Sequence, residues 1–117
     1  MLAVIFEFEP VADRRQDYLD YAAALGAELE SIEGFISIER FESLTRPGKL
    51  LSVSFWRDEA SIAEWRNLER HRAAQRASRE GIMADYRLRV ASIVRDYGMH
   101  NRSTAPDDSR EFHDPDD

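Results

Sequence analysis

The sequence predicts an α+β domain of the ferredoxin-like type, βαββαβ with an antiparallel sheet and both helices on one face. Three observations predict it: four stretches of apolar/polar alternation, two stretches of helical periodicity placed after the first and third of them, and a Pro-Gly turn joining the second to the third.

Leu2 to Glu9 puts Leu2, Val4, Phe6 and Phe8 on one face and Ala3, Ile5, Glu7 and Glu9 on the other, which is the period of a strand. Pro10 interrupts it. Tyr18, Ala22, Leu25, Leu29 and Ile32 then recur at four- and three-residue spacing, one face of a helix, with Asp13 and Gln16 in capping-box spacing before it and Gly34 as its end. Phe35 to Glu42 and Leu50 to Trp56 are strands joined through Thr45-Arg46-Pro47-Gly48. Asp58 is an N-cap for a second helix that runs through Ile62, Trp65 and Leu68 to about Ser78, with Gly81 beyond it. Tyr86 to Tyr97 reads as a long last strand.

Both faces of the strands carry large apolar groups: Ile5 opposes Phe6, Phe35 opposes Ile36, and Ile93 opposes Val94. Two helices cover one face only. A symmetric copy is the simplest cover for the other, so the sequence predicts a homodimer. Residues 1–97 form this domain, and residues 98–117, polar and acidic without a periodic apolar face, read as a disordered tail.

The chain has 117 residues and no Cys, which removes disulfides, thiolate metal sites and a thiol nucleophile and fits a cytoplasmic setting. The apolar run at the N-terminus stops at Glu7, too short to span a bilayer, so no membrane association is expected. Net charge is −7; from Gly98 onward two Arg face six Asp and Glu (−4), leaving −3 on residues 1–97. That balance argues against nucleic acid as partner. The five Gly are isolated, with no phosphate-cradling loop and no Gly-x-Ser-x-Gly elbow.

Chemistry is best sought on the second helix. Asn67, His71 and Gln75 fall on one line at i, i+4 and i+8, with Leu68 beside it and Trp65 at its edge. Polar groups next to Trp and Leu suggest a lined pocket between helix and sheet. A hydrogen-bonded structural or surface His is the competing reading for His71, and a core anchor for Trp56 and Trp65. No metal site is supported, because His71 has no second ligand at metal spacing. The arginines of this helix alternate with Glu and read as a solvated face. On the last strand, Tyr86 and Arg87 are candidates to bind a phenolate, enolate or carboxylate, against a salt bridge to a neighbouring strand.

The pattern resembles the antibiotic biosynthesis monooxygenase family of dimeric α/β barrels over residues 1–97. The resemblance lies in the first strand with its following Glu-Pro, in Glu33-Gly34-Phe35, in Leu51-Ser52-Val53-Ser54-Phe55-Trp56 followed by Asp58-Glu59-Ala60 and Trp65, and in Tyr86-Arg87-Leu88-Arg89-Val90. It implies a homodimer with a pocket in each protomer between sheet and helices. It also implies an enzyme without cofactor, in which an electron-rich aromatic hydroquinone or polyketide-like molecule is deprotonated and itself reduces O₂. His71, Asn67, Tyr86 and Arg87 match in type as catalytic groups, and Trp65, Leu68, Gln75 and Trp56 as substrate contacts. A non-enzymatic binding or accessory barrel is the alternative. The haem-degrading branch fits less well: the Trp56–Trp65 spacing suits it, but Gln75 stands where that branch has its haem-ligating His, and Glu7-Phe8-Glu9 lacks its Asn.

Overall fold

The computed structural model describes the backbone of residues 1–75, 81 and 83–113, and the side chains of all of these but 69–75 and 113. The elements follow in the order β1 (Leu2–Pro10), α1 (Arg15–Leu29), β2 (Phe35–Glu42), β3 (Leu50–Trp56), α2 (Glu59–Gln75), β4 (Met83–Ser92) and α3 (Asp107–His113). The four strands make one antiparallel sheet in the order β2-β3-β1-β4. This is the ferredoxin-like arrangement expected from the alternation.

Register sorts the side chains into an inner face toward the helices and an outer face. On the inner face, Arg40, Ser52, Phe6 and Leu88 form one row across all four strands, and Ile38, Ser54, Val4 and Val90 form the next. Two buried clusters join this face to the helices. Val4 and Trp56 pack with Leu25, Leu29, Ile32 and Ile62, while Phe8 and Leu50 pack with Tyr18 and Ala22. Trp56 is wholly buried, and its indole N–H donates to Ser54 Oγ at 2.9 Å, so the largest core side chain leaves no polar atom unpaired.

The start of α2 is fixed by a knot of short-range contacts. Asp58 Oδ1 accepts from the Ser61 backbone N–H at 2.9 Å, the N-cap contact that the sequence predicts. Ser61 Oγ lies 2.7 Å from that carboxylate and 2.8 Å from the Glu33 carbonyl. Hydrogen bonds from Ser61, and then from Arg57, hold the Asp58 carboxyl at a pKa of about 2. Gly34, with φ +94°, sits against Ser61, where a Cβ would run into the hydroxyl.

Several boundaries differ from the sequence reading. The helix α1 is entered through Arg14 without a side-chain cap: Gln16 bonds Asp20 and Arg14 pairs with Asp17 instead of completing an Asp13 box. It stops at Leu29, short of Gly34, because i→i+3 bonds from Ser31 to Glu28 and from Ile32 to Leu29 tighten the chain into a turn. The last strand runs from Met83 to Ser92 and not from Tyr86 to Tyr97. Its pairing with β1 sets both limits: Pro10 pairs with Met83 at one end, and at the other Leu2 pairs with Ser92 and the Ile93 N–H donates the last bond to the Met1 carbonyl.

Residues past Gly98, expected to be disordered, include α3. Pro106 precedes it and Asp107 and Asp108 occupy its first turn, where they complement the helix dipole. Ala105 is buried, Thr104 Oγ1 donates to the Asp96 carbonyl at 2.9 Å, and the Arg102 guanidinium lies 5.5 Å from the centre of the Tyr97 ring. Among the described residues no helix is long and apolar enough to cross a membrane.

Candidate functional site

Small residues on the inner face leave room beneath the helices. Ser52 and Ser54 stand where a strand covered by helices ordinarily carries large aliphatic groups, and both are buried. Beside Ser52 lies a cavity of about 40 Å³ lined by Phe6, Tyr18, Tyr21, Ala22, Leu25, Leu29, Ile38, Arg40, Ser52, Trp65 and Met83. Its walls are aromatic and aliphatic, and β1, β2, β3, α1, α2 and β4 all contribute.

Two of the residues lining this cavity carry a buried polar atom without a protein partner. Arg40 Nε and Trp65 Nε1 are both buried and make no hydrogen bond. Glu42, the carboxylate next to Arg40 on the same side of β2, is already held by Arg15, whose Nη1 and Nη2 lie 3.1 and 3.2 Å from its two oxygens. That bidentate contact lowers the Glu42 pKa and raises that of Arg15.

Beyond the cavity the inner face stays open along β4. Tyr86 is 65% exposed, Leu88 41% and Val90 43%, and the Tyr86 ring lies 5.8 Å from that of Phe6, which lines the cavity. An apolar strip therefore runs from the cavity toward the β4 edge.

The residues singled out from sequence are divided by this geometry. Trp65 lines the cavity, Leu68 packs against the core beside it, and Trp56 stands behind Trp65 with ring centres 5.8 Å apart. Asn67 is exposed: two residues beyond Trp65 it has turned about 200° around the helix, away from the cavity. The side chains of His71 and Gln75 lie outside the described residues. Tyr86 and Arg87, adjacent on β4, face opposite sides of the sheet, and both border a polar depression of about 200 Å³ with Glu7, Glu9, Arg46, Lys49 and Asp85. On that outer side, Glu7 accepts from Arg89 at 2.6 Å and meets Lys49 at 3.4 Å. The Arg89 bond first, and then Lys49, lower its pKa.

Arg40 was not among the sequence candidates. The signal for it lies in the alternation of Phe35 to Glu42, which places a guanidinium on the side of Ile38, the inward side. Among the described residues no group of three or more His, Asp or Glu is arranged to hold a metal ion.

Comparison with known proteins agrees with this architecture. The family model described as antibiotic biosynthesis monooxygenase matches residues 1–77. A relative named jasmonate monooxygenase ABM, from Pyricularia oryzae, is 47% identical over 94 residues, covering 80% of this chain and 44% of its own. The chain thus spans less than half the length of that relative. The solved structure of Rv0793 from Mycobacterium tuberculosis superposes with a TM-score of 0.69 at 21% identity, over 83% of this chain and 98% of that one. A variant of SnoaB, a cofactor-independent oxygenase from Streptomyces nogalater, gives 0.64 at 11% identity over 81% and 94%. At these identities the two structures show a shared fold. With the family model matching well over half of its residues, the chain belongs to the antibiotic biosynthesis monooxygenase family.

Proposed function

We propose that the chain is a cytoplasmic monooxygenase that takes a small, electron-rich, mostly apolar molecule between the inner sheet face and the helices and oxidises it with O₂, without metal or flavin. The observation that carries this reading is the aromatic-walled cavity at Trp65, continued by the open strip of Tyr86, Leu88 and Val90. Family membership and the names of the jasmonate monooxygenase and of the cofactor-independent oxygenase SnoaB support the reaction class.

An aromatic hydroquinone or anthrone suits such a site. Loss of a proton makes the ring electron-rich enough to reduce O₂ directly. For an anthrone methylene the balance is R₂CH₂ + O₂ → R₂C=O + H₂O: two C–H bonds give way to a carbonyl, and four electrons pass from carbon to oxygen. The protein supplies a dry apolar seat, a base and donors for the charge that develops on oxygen. His71 is the base in this proposal, and Trp65 is both wall and donor. A second copy of the chain covers the outer sheet face, as an isologous contact between identical patches.

Oxygen uptake with a panel of anthrones, quinols and jasmonate tests the reading. Consumption with at least one substrate, lost on His71→Ala, is the expected result; no uptake with any of them overturns it. Binding without turnover is the second reading. It is favoured by the small enclosed volume, about 40 Å³ against the few hundred typical of small-molecule sites. Saturable binding with no uptake would establish it.

A further inference from the structure

We propose that the cavity at Arg40 is an anion socket, and that the ligand of this site carries a carboxylate whose apolar body lies along Phe6, Leu88 and Tyr86. The inference rests on the reading of this face as a small-molecule site and names the chemical class of that molecule.

Arg40 is half-buried, with its Nε inside, and a buried N–H donor that lacks a partner is a standing cost, the more so on a guanidinium that cannot be neutralised by losing its proton. Arg40 Nε is buried and has no hydrogen-bond partner, and no carboxylate among the described residues forms an ion pair with its side chain. Its same-face neighbour Glu42 is occupied by Arg15. A second orphan donor, Trp65 Nε1, borders the same cavity, and Ser52 forms part of its wall. Two unpaired N–H donors, one of them cationic, against a space of about 40 Å³ suit a group with two acceptor oxygens and little bulk. A carboxylate has that form. A neutral apolar ligand would leave both donors buried and unpaired, so the socket discriminates by chemistry as well as by size.

Register supplies the rest. Arg40 and Ser52 lead across the sheet to Phe6 and then Leu88, so polarity is confined to the β2 end of the row and the remainder is apolar. A molecule with an anionic head and an apolar body fits that gradient in one orientation only.

The test uses naphthylacetate and phenylacetate, each beside its methyl ester, titrated against the whole chain and followed by the emission of its two tryptophans, one of which borders the socket. Each acid is expected to bind at least about ten-fold more tightly than its ester, and Arg40→Gln to erase that ratio while leaving ester affinity unchanged; Arg40→Lys recovers part of it. Equal binding of acid and ester, or an acid preference that survives Arg40→Gln, overturns the proposal. Oxygen uptake is scored separately. Acid selectivity without uptake leaves the socket standing and removes the monooxygenase reading, and uptake without selectivity does the reverse.

Discussion

At the scale of single residues, the junction between β2 and α2 concentrates the most consequence in the fewest atoms. Gly34 holds a positive φ and faces Ser61 with no room for a methyl group. Gly34→Ala is expected to cost about 2 kcal/mol or more in urea denaturation, from backbone strain and displacement of the Ser61 hydroxyl together. Asp58→Ala removes the N-cap and is expected to lower the urea midpoint. The Asp58 carboxyl, held at a pKa of about 2, ionises more readily in the folded chain than in the unfolded one. Its contribution is therefore complete above the ordinary Asp range near pH 4 and is lost as the pH falls toward 2. Melting temperatures of wild type and Asp58→Asn should differ above that range and converge below it; a constant difference would show that the carboxylate's charge plays no part.

At the scale of elements, β3 is the strand whose packing decides the core. Its inward residues are Leu50, Ser52, Ser54 and Trp56, and the alternation in Leu51-Ser52-Val53-Ser54-Phe55-Trp56 is plain in the sequence. What alternation does not tell is that the two serines face inward while Val53 and Phe55 face out, a reversal of the usual preference that both opens the cavity and gives the Trp56 indole its acceptor. Trp56→Ala should destabilise the chain by about 3–5 kcal/mol, because the wholly buried ring touches both the sheet core and Trp65. Retention of the wild-type urea midpoint would contradict this account. Element order and the buried face of α1 were readable because each buried set repeats with its own period, whereas Asn67 on α2 lies away from the cavity. The ends of α1 and β4 were not, since they depend on i→i+3 bonds and on where the partner strand stops. Arg40 was missed for a related reason: one charged residue in an alternating strand counts as outward until register fixes the face.

At the scale of the molecule, the outer sheet face carries Ile5, Leu51, Val53, Phe55 and Phe41 beside Glu7, Glu39, Arg87 and Arg89, with Phe41 45% exposed and Ile36, at the β2 bulge, 53%. The helices that bury Phe8 and Trp56 do nothing for this side. A twofold pairing of the chain through it predicts a dimer by sedimentation equilibrium, and Val53→Glu, placed at the centre of the patch, predicts a monomer that keeps the inner core and its far-UV spectrum. A wild type that sediments as a monomer at all concentrations would refute the pairing. The charges on this face, Glu7 with Arg89 and Lys49, satisfy one another within the chain.

The row from Arg40 through Ser52 and Phe6 to Leu88 runs across the strands, one residue from each. Adjacent strands are about 4.8 Å apart, so its three intervals span roughly 14 Å from a charged end to an apolar one. Such a row works as a ruler with its zero at the guanidinium. For the anionic ligand and the oxidation proposed above, the reacting atom would be selected by its distance from that end, so a one-carbon change in the tether between anionic head and ring is expected to shift the product and not merely the rate.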